Sequence, residues 1–189
     1  SLIPAGLSIA LWFNYAGAVG FRFEEHVTWY AAINASYHVG VDGLSASMIL
    51  LTGLLTPLCL LASFSIEERV KPYMMLFLVL ETGMLGVFAS LDLVLFFLFW
   101  EIGLVPMYFL INQWGGKDRR YASFKFFVYT MAGSLGLLLS IQLIGLTAGT
   151  FDIARLITIW PTFDKEVLTF LPIGTIKTIT FFAFSLAFA

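Results

Sequence analysis

The sequence predicts an all-α membrane protein, a bundle of transmembrane helices, and three observations predict it. Hydrophobic residues make up 60 % of the 189-residue chain and charged residues only 12 %, against about a quarter charged in a soluble domain. The apolar residues are gathered into runs near the ~20 residues that a spanning helix needs, separated by short polar loops. Within those runs polar residues do not alternate with apolar ones, so a β-barrel is excluded, and helices alone satisfy every backbone polar group in lipid.

Taken in order, the first apolar stretch covers residues 2–21 and reads as a spanning helix entered late. It lacks the positive leader of a signal peptide. Complete spans follow at about 44–64, 73–90, 91–111 and 122–148, each apolar on all sides, unlike an amphipathic surface helix. An incomplete span begins near residue 175 and runs to 189. The absence of Met at position 1 and the apolar ending at Ala189 mark the chain as a fragment, one transmembrane unit with no internal repeat. Longer connections are expected at 22–43 and 149–174. Within the second, residues 153–160 suit a helix lying along the membrane interface and ended by Pro161. Asp42, just ahead of an apolar run, suits a helix N-cap.

Loop charge sets the expected orientation. Arg69, Lys71, Lys117, Arg119 and Arg120 lie in the short loops 65–71 and 112–120, whereas Arg22, Arg155, Lys165 and Lys177 are spread over longer, acid-rich connections. The positive-inside rule places the two short loops in the cytoplasm. Trp29, Trp114 and Trp160 fall near span boundaries, as an interfacial aromatic belt requires.

Glu101 is the leading candidate for chemistry. It is the sole charge in the apolar run 93–111, and a carboxylate at membrane depth costs at least ~2–3 kcal/mol. Only Ser90, Leu91 and Asp92 separate the second and third complete spans, which therefore form a tight antiparallel hairpin. Glu81 and Glu101 each lie ten residues from Leu91, about 15 Å along a helix, so both reach the bilayer midplane. Whether they face each other is left open. Facing acids would share a proton; otherwise Glu81 is a neutral packing residue. Pro106 removes a hydrogen bond to the Ile102 carbonyl one turn beyond Glu101, and Pro57 does the same for Gly53. Lys125 enters the membrane by one to two turns, either snorkelling to headgroups or facing the bundle. Gly133, Ser134 and Gly136 form a small-residue patch suited to close helix packing.

Other residues carry less. Cys59 reads as a small core residue, and His26 and His38 as solvated loop groups rather than ligands. The near-neutral charge gives no surface for nucleic acid. Walker, dinucleotide, CxxC and nucleophile-elbow motifs are absent, so no cofactor or metal is expected in this chain.

The segments His38-Val-Gly-Val-Asp-Gly-Leu-Ser45, Glu81-Thr-Gly-Met-Leu-Gly-Val-Phe88 and Leu91-Asp-Leu-Val-Leu-Phe-Phe-Leu-Phe-Trp-Glu101 resemble the antiporter-like membrane subunits of respiratory complex I. The continuation Leu104-Val-Pro-Met-Tyr-Phe-Leu-Ile111, Trp114-Gly-Gly-Lys117 and Arg120-Tyr-Ala-Ser-Phe-Lys-Phe-Phe-Val-Tyr-Thr130 is similar to the subunit M line, and to its counterpart in the cyanobacterial and plastid enzyme. The match covers most of residues 38–136.

The resemblance implies a part of a 14-helix antiporter-like fold with inverted five-helix repeats. It implies that Glu101 is the essential intramembrane acid, paired with a lysine on a broken helix expected just beyond Ala189, and that Lys125 occupies a different basic position. It further implies a proton-translocating subunit of an NADH (or other donor):quinone oxidoreductase, whose quinone, flavin and iron–sulfur centres sit in partner subunits. Its expected partners are neighbouring antiporter-like subunits and the lipid bilayer, in a bacterial plasma membrane or a thylakoid. The alternatives are a subunit of a multi-subunit monovalent cation/proton antiporter, or a membrane subunit with a purely structural role.

Overall fold

The computed structural model describes residues 1–15, 20–30, 34–162 and 172–188. Its elements are α1 (Leu2–Tyr15), β1 (Arg22–Tyr30), β2 (Ala35–Val41), α2 (Gly43–Ala62), α3 (Val70–Ala89), α4 (Leu93–Trp114), α5 (Arg119–Ala148), α6 (Ile153–Ile159) and α7 (Ile173–Phe188). Among the described residues, four helices are long and apolar enough to cross a membrane: Gly43–Ser65 with its closing 3₁₀ turn, Val70–Ala89, Leu93–Trp114 and Arg119–Ala148. Each packs on its sequence neighbour, in the order α1, α2, α3, α4, α5, and α7 then returns against α5. Large apolar side chains such as Leu51, Leu58, Phe124 and Leu139 point outward, as surfaces destined for lipid or neighbouring helices do.

Aspartates start three helices at one end. Asp42 accepts from the Ser45 amide at 2.7 Å, Asp92 from Val94 at 2.8 Å and Leu95 at 3.3 Å, and Asp152 from Arg155 at 2.9 Å. Each bond satisfies one of the amides that a first helical turn leaves without a partner. At the far end of α5 Gly149 adopts φ +71° and its N–H bonds the Gly145 carbonyl, a left-handed cap that suits glycine.

The connection 22–43 is not the loop expected from the sequence. Strands β1 and β2 form an antiparallel hairpin, with His26 opposite His38 and register shifts between Arg22 and Glu25 and between Thr28 and Tyr30. An isolated two-stranded hairpin is marginal, so its attachment matters. The Leu91 amide bonds the His38 carbonyl at 2.8 Å, and Val39 bridges Ser90. Of the apolar stretch expected to run helically to Phe21, α1 covers Leu2–Tyr15 among the described residues. By Gly20 the backbone is left-handed, and Arg22 opens β1; residues 16–19, 31–33 and 163–171, Lys165 among them, lie outside the described set.

Glycines set the helix spacing. A Cβ on Gly83 of α3 would lie 3.2 Å from the Gly103 amide nitrogen and 3.3 Å from the Phe99 carbonyl oxygen of α4. On α5 the expected small-residue patch packs against α7: a Cβ on Gly133 would meet the Ala187 carbonyl oxygen at 3.4 Å, and one on Gly136 the Ala183 carbonyl oxygen at 3.4 Å. Gly83→Ile is therefore expected to push backbone from backbone and destabilise the α3–α4 pair by about 1–3 kcal/mol. A lowered thermal midpoint of the purified complex reports it, with Gly116→Ile, where a Cβ meets nothing within 4 Å, as the unaffected control.

Cys59 is exposed on α2, correcting the core reading. Apolar character marks a membrane helix on all sides and does not separate its buried face from its lipid face.

Candidate functional site

Glu81 and Glu101 lie on adjacent helices of the predicted hairpin. Glu81 is eight residues before Ala89 and Glu101 eight after Leu93, so each is about 12 Å from its own end of the turn. Gly83 packs against Phe99 and Gly103, which bracket position 101. This register puts the two acids within about 3 Å of the same depth.

Equal depth does not bring them face to face. Successive helical residues turn by about 100°, so Glu81 lies about 200° around α3 from Gly83. Glu101 is likewise about 200° from both Phe99 and Gly103, the residues that meet Gly83. Both carboxylates therefore leave the α3–α4 seam. Glu81 is 2 % exposed, with Oε2 3.9 Å from the Ser1 nitrogen at the start of α1. Glu101 is half-buried and shares a helix face with Tyr108, whose ring meets Phe127 of α5 with centroids 5.5 Å apart. Among the described residues, no hydrogen-bond donor reaches the buried Glu81 Oε1 or Glu101 Oε1.

The Tyr108–Phe127 contact also fixes the register of α4 on α5. In that register Ser134 stands at the level of Glu101. It is buried, and its hydroxyl donates to the Thr130 carbonyl at 3.0 Å. The sequence pattern assigns Ser134 to helix packing alone; the signal for more is a lone hydroxyl between two glycines on the helix after the acid. A cavity of about 400 Å³ lies alongside, bounded by Thr52, Met84, Trp100, Met107, Phe126 and Thr130 among others. It joins α2, α3, α4 and α5 next to the acids but includes neither carboxylate in its lining.

Lys125 stands apart. It is exposed, with Nζ 5.8 Å from the Tyr121 ring centroid, a cation–π contact. By the same register it lies about 13 Å along the axis from Glu101, nearer the basic end. The structure does not bring the two together. Pro106 is buried within α4, which continues through it as one helix, as α2 does through Pro57.

The two basic loops share one end of the molecule. Trp114 Nε1 donates to the Glu68 carbonyl at 2.9 Å, Arg119 to the Gln113 carbonyl at 2.7 Å, and Arg69 reaches the Gln113 side chain at 3.5 Å. At the opposite end His38 corrects the expectation of a solvated group. It is 5 % exposed, with Nδ1 3.1 Å from Asp152 Oδ2 and Nε2 3.3 Å from Glu24 Oε2. Burial of this side chain follows from β2 lying under the α3–α4 turn, a long-range packing that no local pattern encodes. His26, on β1, is exposed.

Known proteins resemble this chain in sequence and fold. Residues 90–188 match the family described as NADH:quinone oxidoreductase/Mrp antiporter, TM, and residues 10–90 the family described as NADH-ubiquinone oxidoreductase chain 4, amino terminus. The chain is 44 % identical over 172 residues to NADH-quinone oxidoreductase subunit M of Rhodobacter capsulatus, covering 90 % of this chain and 33 % of that protein. It is 37 % identical over 177 residues to F(420)H(2) dehydrogenase subunit M of Methanosarcina mazei, covering 89 % of this chain and 36 % of that one. The chain thus spans about a third of the length of the curated relatives it matches.

Among solved structures, respiratory complex I from Thermus thermophilus with bound NADH contains a chain that superposes with a TM-score of 0.80 at 26 % identity, over 100 % of this chain and 38 % of that one. The Mrp complex from Dietzia sp. superposes with a TM-score of 0.81 at 18 % identity, over 97 % of this chain and 19 % of its counterpart, a likeness of fold alone. From the apolar helices, the acid-bearing α3–α4 hairpin and these matches together, the chain is an integral membrane protein and belongs to the NADH:quinone oxidoreductase/Mrp antiporter family.

Proposed function

We propose that this chain is part of a proton-translocating membrane subunit of an NADH (or other donor):quinone oxidoreductase, and that Glu101 is its proton-handling acid. The observation that carries the reading is the Glu101 Oε1 atom. It is buried in the first half of the apolar helix α4 with no donor among the described residues, a state that wants a proton, a water or a cation beside it. The names of these relatives, an NADH-quinone oxidoreductase subunit, an NADH-ubiquinone oxidoreductase chain and an F(420)H(2) dehydrogenase subunit, support the same assignment.

In the proposed mechanism Glu101 couples to a lysine supplied by the continuation of the protein. At an effective dielectric of ~20, separating such a pair from ~4 to ~8 Å changes its attraction by about 2 kcal/mol. That changes the lysine's hold on its proton more than tenfold. Quinone reduction in partner subunits would drive the separation; this chain supplies the acid, its depth and a half-dry surround. Glu81, turned toward the start of α1, and Lys125, nearer the basic end, are proposed as further stations on the proton path. The basic loops are proposed to face the cytoplasm, and the partners to be neighbouring antiporter-like subunits together with the subunits that carry the quinone, flavin and iron–sulfur centres.

The test uses proteoliposomes holding the assembled complex. Donor-driven proton movement is expected to require quinone and to proceed equally with and without sodium. Sodium–proton exchange without quinone reduction would replace this reading with a multi-subunit cation/proton antiporter.

A further inference from the structure

We propose that His26, His38 and Asp152 form a binding site for a divalent transition-metal ion of the zinc class, at the end of the molecule opposite the basic loops. One ligand atom from each lies within 4.8 Å of the others. The two histidines are a cross-strand pair, His26 on β1 opposite His38 on β2, with ring centroids 4.8 Å apart and planes at 77°. Asp152 comes from the start of α6, so the site joins the hairpin to the helical body.

The environment of His38 carries the inference. Its two ring nitrogens face two carboxylates, Asp152 at 3.1 Å and Glu24 at 3.3 Å. A neutral imidazole has one N–H to donate. If Nε2 donates to Glu24, the Nδ1 lone pair confronts the Asp152 oxygen, acceptor against acceptor, and a cation must lie between them. A metal-bound histidine normally has this arrangement, with its second nitrogen donating to a carboxylate that fixes the ring. Asp152 can spare the oxygen, because its other one, Oδ1, already caps α6 through the Arg155 amide.

His26 distinguishes a metal from a proton. A proton shared by His38 and Asp152 gains nothing from a second imidazole within reach. A metal ion gains a third ligand. Tetrahedral zinc at ~2.0–2.1 Å from its ligands needs donor atoms closer than 4.8 Å, and the exposed His26 side chain is free to supply that contraction. Two imidazoles and one carboxylate suit zinc, copper or nickel and disfavour calcium or magnesium, which take oxygen ligands. A bound ion would pin β1 and β2 to α6.

The experiment measures zinc content by mass spectrometry in the assembled complex after incubation with zinc chloride and desalting. The complex containing the wild-type chain is expected to retain one more zinc per copy than the His26→Ala complex, and excess calcium should not displace it. Glu24→Gln, which alters only the residue orienting His38, is expected to weaken zinc binding about 10- to 100-fold while assembly is unchanged. Equal zinc in the wild-type, His26→Ala and Glu24→Gln complexes, or displacement by calcium, would overturn the site and leave His38 as an ion-paired structural group.

Discussion

Glu101→Gln, made in the full-length protein and assembled into its complex, is expected to lower proton pumping coupled to quinone reduction at least ~100-fold, the scale of a lost acid–base group. Glutamine has the same shape and retains an acceptor oxygen, so the space that the Glu101 side chain fills stays filled and the complex should assemble. The substitution removes only the ability to take up a proton and to attract a cation. Glu101→Asp keeps the acid but withdraws it by one methylene, and partial pumping is the expected result. Pumping is read as acidification of proteoliposomes while quinone reduction is followed separately. Wild-type pumping by an intact Glu101→Gln complex would refute the assignment and favour a structural subunit. Glu81→Gln should cost less, since Glu81 sits on the opposite side of the hairpin from Glu101, and Lys125→Ala less again.

The difference between these expectations shows which part of the site is legible in the sequence. Distance from the turn is legible: a three-residue turn between two apolar runs fixes how far along its helix each acid lies, because helical rise is constant. Facing is not, because helix phase is set by which residues pack. A usable signal is present all the same. Gly83 and Gly103 mark where two backbones come close, as small residues do between membrane helices, Gly86 makes room for the Phe99 ring, and the acids lie away from that seam.

The helices are legible for the same physical reason that Cys59 misleads. In lipid, length and apolarity define a span, while inward and outward faces look alike. The β-hairpin is hidden because β1 carries Glu24, Glu25 and His26 in succession and is interrupted by register shifts, so no clean two-residue alternation survives. The burial of His38 is hidden because its carboxylate partner Asp152 is 114 residues away.

Asp92→Ala is expected to be the most damaging single change outside the proton path, at about 2–4 kcal/mol. Asp92 is fully buried, and its two oxygens serve different elements. Oδ1 caps α4 through the Val94 and Leu95 amides, while Oδ2 accepts from the Ser36 amide at 2.9 Å and the Ser36 hydroxyl at 3.1 Å. Losing an N-cap costs ~1 kcal/mol. The Ser36 amide, itself buried, would lose its acceptor as well, and an unsatisfied buried donor costs about 1–3 kcal/mol more. The turn Ser90–Asp92 also bonds the Leu91 amide to His38, the Leu93 amide to Phe151 and the Leu91 carbonyl to the Ile153 amide, so damage at Asp92 spreads to β2 and to the start of α6. Hydrogen exchange in the assembled complex should therefore accelerate at residues 36, 38, 91–95 and 153 together, with a lower thermal midpoint. Asp92→Asn retains an acceptor oxygen and should lie between wild type and Asp92→Ala. Faster exchange confined to the Val94 and Leu95 amides would mean that Asp92 only caps α4, and that the hairpin is held to the bundle by its other contacts.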